Sequence, residues 1–122
     1  MKGMLFAATT QSDASVGFYR DKLGLGFLAD TPYALVFAVG NTTLRVQKVS
    51  ETIPVPYTTL GFSVPNLTDC VTELARKSVN FESYDFLQQD ENGIWTAPDG
   101  TRVAWCRDPD NNLVSFTEDA AA

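Results

Sequence analysis

Apolar runs along Met4–Thr9, Leu25–Ala29 and Tyr33–Val39 read as strands, and Thr42–Val49 alternates apolar and polar residues with the period of two of a half-buried strand. Between the first two, Ser12 or Asp13 offers an N-cap, and a helix carries Val16, Tyr19 and Leu23 on one face until Gly24 stops it. Gly40-Asn41 supplies the hairpin turn between the third and fourth strands. Ser50 to Pro56 reads as a linker, because Pro54 and Pro56 discourage regular structure.

The pattern then restarts. Thr58–Val64 is a strand, and Asn66 caps a helix whose apolar residues Leu67, Cys70, Val71 and Leu74 fall at i, i+3, i+4 and i+7. A short strand is expected near Phe81–Tyr84 and a polar loop over Gln88–Gly93. Ile94–Ala97 and Thr101–Arg107 are extended segments flanking the turn Pro98-Asp99-Gly100. Asp108-Pro109-Asp110-Asn111-Asn112 is a strong turn signal, since Pro109 fixes φ and Asn tolerates the left-handed region. Leu113–Thr117 is the last strand, and the alanine tail is expected to fray. The order β-α-β-β-β, linker, β-α-β-β-β predicts an α+β fold of two βαβββ modules in one domain, 1–122. Module one covers about 1–50, the linker 51–56 and module two about 57–119.

Alternation also assigns faces. Leu60, Phe62 and Val64 oppose Thr59, Gly61 and Ser63; Val114 and Phe116 oppose Leu113, Ser115 and Thr117. Ala104 and Cys106 oppose Val103, Trp105 and Arg107; Leu44 and Val46 oppose Thr43, Arg45 and Gln47. One face is small or apolar and suits covering helices. The other mixes Thr59, Ser63, Ser115, Arg45, Gln47 and Arg107 with Trp105. Polar groups converging beside a large aromatic describe a ligand cleft better than a solvated surface.

Composition narrows the chemistry. A hydrophobic content of 44% supports a packed core, and no apolar run approaches a membrane span. The net charge of −6 disfavours nucleic acid. The first residues are too short an apolar stretch for a signal peptide, which points to the cytoplasm. Cys70 and Cys106 form no CxxC and lie on apolar faces, as core thiols do. The chain has no histidine, so a Ser-His-Asp triad is impossible. No phosphate-binding glycine loop occurs, and Tyr19, Tyr33, Tyr57 and Tyr84 show no perturbing neighbour in the sequence.

Three segments resemble the vicinal oxygen chelate superfamily, which includes glyoxalase, the extradiol dioxygenases and the bleomycin resistance proteins. They are Phe18-Tyr19-Arg20-Asp21-Lys22-Leu23-Gly24-Leu25, Leu60-Gly61-Phe62-Ser63-Val64, and the run from Gly93-Ile94-Trp95-Thr96 through Asp99-Gly100-Thr101 and Trp105 to Asp108-Pro109-Asp110-Asn111-Asn112-Leu113. Asn111 stands where Gly is usual, and Asn can serve the same turn. The resemblance implies a mixed sheet curved into a half-barrel with helices on the convex side. It also implies a metal held on the concave face by one ligand from each of four strands, mostly His and Glu.

Carried onto this chain, those positions are Met4, Arg45 or Gln47, Thr59 and Ser115. None is a convincing ligand for a divalent metal. The expectation is therefore no metal and no cofactor. The chain is read as a metal-independent small-molecule binding protein of the glyoxalase and bleomycin-resistance type, sequestering a drug or metabolite. Its ligand stacks on Trp105 and Trp95, with polar contacts from Thr59, Ser63, Ser115, Arg45, Gln47 and Arg107 and with Met4 nearby. A homodimer partner closes the cleft, as in relatives. The alternatives are a lyase, isomerase or dioxygenase-like enzyme of the same superfamily, and an interaction module without a ligand.

Overall fold

The computed structural model describes residues 1–120; the last two alanines of the tail expected to fray lie outside the described residues. The elements are β1 (Leu5–Thr9), α1 (Ser12–Val16) continuing as a π-helix over Gly17–Lys22, β2 (Gly26–Asp30), β3 (Ala34–Val39), β4 (Thr42–Lys48), β5 (Leu60–Ser63), α2 (Leu67–Arg76), β6 (Trp95–Thr96), β7 (Arg102–Arg107) and β8 (Leu113–Glu118). They form two four-stranded sheets ordered β1-β4-β3-β2 and β5-β8-β7-β6. In each sheet the first and last strands pair in parallel and the other pairs are antiparallel. The edge strands β1 and β5 come together, so the two sheets make one open, half-barrel-like surface.

Burial follows the alternation in β4 and β7, whereas β3 and β8 are buried on both faces over Ala34–Phe37 and Leu113–Phe116. Leu35, Phe37, Leu44 and Val46 of the first sheet and Leu60, Ala104, Cys106, Val114 and Phe116 of the second join Tyr19, Leu67, Val71 and Leu74 in one core beneath the helices. Among the described residues no helix is long and apolar enough to cross a membrane. Cys106 is fully buried and Cys70 half-buried; both thiols are free, and burial pushes the Cys106 thiol up to about 12.

Three local expectations need correction. Neither Ser12 nor Asp13 caps the first helix. Gln11 takes that position without a capping bond from its side chain, and its amide donates to Thr9 Oγ1 at 3.0 Å. The helix widens to a π-helix, with Leu23 N donating to Phe18 O at 2.9 Å. Within this wider turn the neighbours Phe18 and Tyr19 are both buried in the core. The strand expected near Phe81–Tyr84 is a single bridge, Phe81 to Cys106. The edge of β7 is shared: β6 takes its start, and Glu82 N donates to Trp105 O at 2.8 Å. The chain then turns away, with the Gln89 side chain bonded to Tyr84 N, Glu82 O and Gly93 O.

The Asp108–Asn112 turn forms as expected, with Asn111 at φ 65°. It also ties the halves together. Asp108 accepts from Tyr19 Oη at 2.6 Å, from Asn112 Nδ2 at 2.8 Å, and from the amides of Asp110 and Asn112. Asp110 accepts from Thr9 Oγ1 at 2.5 Å and from the amide and hydroxyl of Thr10 at 2.8 and 2.6 Å. Asn112 Nδ2 also donates to Ala8 O.

Burial alone would raise the Asp110 carboxyl, but the bonds from Thr10 and Thr9 together hold it below the usual carboxylate range. A depressed folded-state value gives stability that is present above the ordinary carboxylate pKa and lost as pH falls through the folded value. A melt series from pH 6 down to pH 2 should therefore show a fall in the acid range that is shallower for Asp110→Asn. Identical acid limbs for the two proteins would contradict this role.

Candidate functional site

The face away from the helices gathers the side chains that alternation sends outward. In the first sheet Arg45 of β4 lies between Phe6 of β1 and Val36 of β3. Gln47 lies between Ala8 and Ala34, and Thr43 is paired with Ala38. Arg45 and Gln47 are exposed, as are Met4 at 42% and Phe6 at 48%. In the second sheet Gly61 of β5 pairs with Ser115 of β8, and Ser115 pairs with Trp105 of β7. Trp95 of β6 pairs with Val103. Thr59 and Ser63 are exposed on β5 and just before it. Ser115 is only 7% exposed: Gly61 gives it room, and a Cβ there would meet Ser115 Oγ at 3.0 Å.

Trp105 and Trp95 are half-buried, with ring centroids 6.3 Å apart and planes tilted by 34°. Tyr84 packs edge-on against Trp105 at 5.6 Å, and Phe86 packs against Tyr84 at 5.5 Å. The two tryptophans thus share one aromatic patch with Ser115 beside it. Arg107 faces the same way, but its guanidinium is engaged. It pairs with Glu82 at 3.0 Å and donates to the carbonyls of Val55 and Asn111 at 3.1 and 2.9 Å.

Phe6 and Phe86 are absent from the site expected from sequence, and Tyr84 enters there only as an acid/base candidate, not as part of the aromatic patch. Phe6 was accessible to sequence reading, since extending the alternation of the first strand puts Phe6 with Met4 and Ala8. Tyr84 and Phe86 carry no such signal, because a loop folded on the Gln89 side chain positions them. The Tyr84 hydroxyl is buried without a hydrogen-bond partner, and burial raises its pKa, with the Glu82 charge adding to the effect. Tyr19 is withdrawn from acid/base chemistry, since burial and the Asp108 charge raise it far above the ordinary phenol range.

The donor set does not fit a divalent metal. Met4, Arg45, Gln47, Thr59 and Ser115 offer a thioether, a cation, an amide and hydroxyls where imidazole and carboxylate are needed. Among the described residues no three His, Cys, Asp or Glu stand close enough to share an ion. The concave face is also unroofed in the single chain. A groove of about 640 Å³ runs between α2 and the 80–93 segment, lined by Val71, Ala75, Phe81 and Asp90 among others, away from this face.

The Glyoxalase/Bleomycin resistance protein/Dioxygenase superfamily matches residues 3–116 of the chain. No protein of curated function matches the sequence. Among solved structures, a bleomycin resistance determinant encoded on transposon Tn5 superposes with a TM-score of 0.77 at 14% identity, covering 99% of each chain. A glyoxalase family protein from Enterococcus faecalis gives 0.73 at 18% identity, covering 97% of each chain. Lactoylglutathione lyase from Agrobacterium tumefaciens gives 0.71 at 19% identity, covering 97% of this chain and 94% of its own. At such identities the likeness is one of fold. From the match over residues 3–116, the chain belongs to the Glyoxalase/Bleomycin resistance protein/Dioxygenase superfamily.

Proposed function

We propose that the chain binds a small organic molecule on its concave face without a metal, as a sequestering protein of the bleomycin-resistance type. The observation that carries this reading is the tryptophan pair beside Ser115, on a face whose four expected ligand positions hold no metal donors. An aromatic patch takes up a flat apolar group, and the hydroxyls of Thr59, Ser63 and Ser115 can orient its polar atoms. Arg45, Gln47, Trp95 and Met4 belong to the same binding face, whereas Arg107 acts through the structure it holds.

Purified protein is expected to carry no stoichiometric zinc, nickel, iron or manganese. A thermal-shift screen should find ligands whose stabilising effect is the same with chelator and with added divalent metal. About one tightly held metal per chain in elemental analysis would overturn the reading.

The reading includes a homodimer. Met4 just before β1 and Phe6 on it, with Ile53 of the linker and Tyr57 just after it, leave large apolar side chains in water, and a face without a roof needs a cover to exclude solvent from a ligand. Light scattering at micromolar concentration should give twice the chain mass; a monomer would contradict this part of the account.

A further inference from the structure

Resting on that binding reading, we infer that the ligand is a small organic carboxylate whose anionic end docks on Arg45. The chain is acidic, at −6, and all but one of its arginines pair with its own acids. Arg20 pairs with Asp21, Arg76 with Glu73, Arg102 with Glu118 and Arg107 with Glu82. Among the described residues Arg45 is the one arginine with neither a carboxylate nor a hydrogen-bond partner, and it stands on the concave face. Its surroundings leave room for a partner. Its cross-strand neighbours are Phe6 and Val36, and the next rows offer only Ala8, Ala34 and Ala38 around Gln47 and Thr43. The guanidinium therefore rises from a floor of small and apolar side chains with no acid beside it.

The chemistry of that arrangement selects the ligand class. A guanidinium presents a planar fork of donors and no acceptor, which matches a carboxylate in two parallel bonds. The Gln47 amide, two residues along the same face, adds a further donor. Phe6 and Met4 offer apolar contact to the body of such a molecule. One unpaired cation balances one negative charge, and the acidic chain penalises a dianion twice over. The net charge does not exclude a monoanion, since charges beyond about 8–10 Å are largely screened at physiological salt, whereas Arg45 would touch the group directly. This also resolves the two arginines expected on the face: Arg107 is already neutralised by Glu82, so the open positive charge is at Arg45 alone.

The test uses three probes of equal shape: 2-naphthoate, 2-naphthamide and 2-naphthylmethylammonium, titrated calorimetrically into the wild-type chain, Arg45→Gln and Trp105→Ala. Naphthoate should bind the wild type about tenfold more tightly than the amide, the size expected of one charge-assisted contact. Arg45→Gln should erase that preference, weakening naphthoate by about tenfold and the amide by much less, and should leave the melting temperature unchanged, because Arg45 makes no bond within the fold. A naphthoate preference that survives Arg45→Gln, or a preference for the ammonium probe, would overturn the inference and leave the binding reading standing if Trp105→Ala still weakens all three. Failure of every probe to bind the wild type would overturn both.

Discussion

Asp108→Ala is expected to cost on the order of 3–5 kcal/mol of folding stability. The carboxylate is 3% exposed and accepts four hydrogen bonds, from Tyr19 Oη, Asn112 Nδ2 and the amides of Asp110 and Asn112. Removing it leaves the buried Tyr19 hydroxyl and Asp110 amide without an acceptor, at about 1–3 kcal/mol each before relaxation, and the two half-buried Asn112 donors at a smaller cost. The turn itself loses the acceptor that holds its amides, and the tie from the first module's helix to the second module's hairpin is cut. Asp108→Asn keeps the shape and an acceptor oxygen, so it should fall between wild type and alanine. Urea unfolding measures all three. A loss below about 1 kcal/mol for the alanine variant would mean that the shared core and the bonds of Asp110 and Asn112 hold the two modules without Asp108.

Trp105→Ala is expected to weaken ligand binding tenfold or more, with only a modest effect on stability. Trp105 is half-buried, stands directly across from Ser115 and meets Trp95 and Tyr84 by its ring. Stacking and burial of an indole are worth on the order of 1–3 kcal/mol, which is about one to two decades in affinity. The core beneath it is filled by Ala104 and Cys106 of the same strand, so removing the ring opens no cavity there. A stability loss of about 3–5 kcal/mol would instead mark Trp105 as a packing residue and remove it from the site.

The strand alternation and the α2 pattern carry most of the fold in the sequence, because each sheet has one face under helices and one face open. That asymmetry sorted Leu44 and Val46 from Arg45 and Gln47, and Ala104 and Cys106 from Trp105, and the burial agrees. Three features were not legible. The π-helix over Gly17–Lys22 is one, since the spacing of Val16, Tyr19 and Leu23 fits an ordinary helix. The 81–84 segment reads as a strand by composition, yet β6 claims part of the same edge of β7. The fate of Arg107 depends on Glu82, a residue 25 positions earlier that the fold brings to 3.0 Å. Long-range pairing of that kind, present at Arg102 and Arg107 and missing at Arg45, separates the arginines that tie distant segments together from the one left open.

The most direct test of a metal-free binding face is a calorimetric titration of 2-naphthoate into three preparations: chelator-treated wild type, wild type supplied with zinc or nickel, and chelator-treated Trp105→Ala. The expected result is one affinity for the first two and a loss of at least tenfold in the third. Binding that appears only with metal present, or an affinity untouched by Trp105→Ala, would contradict it.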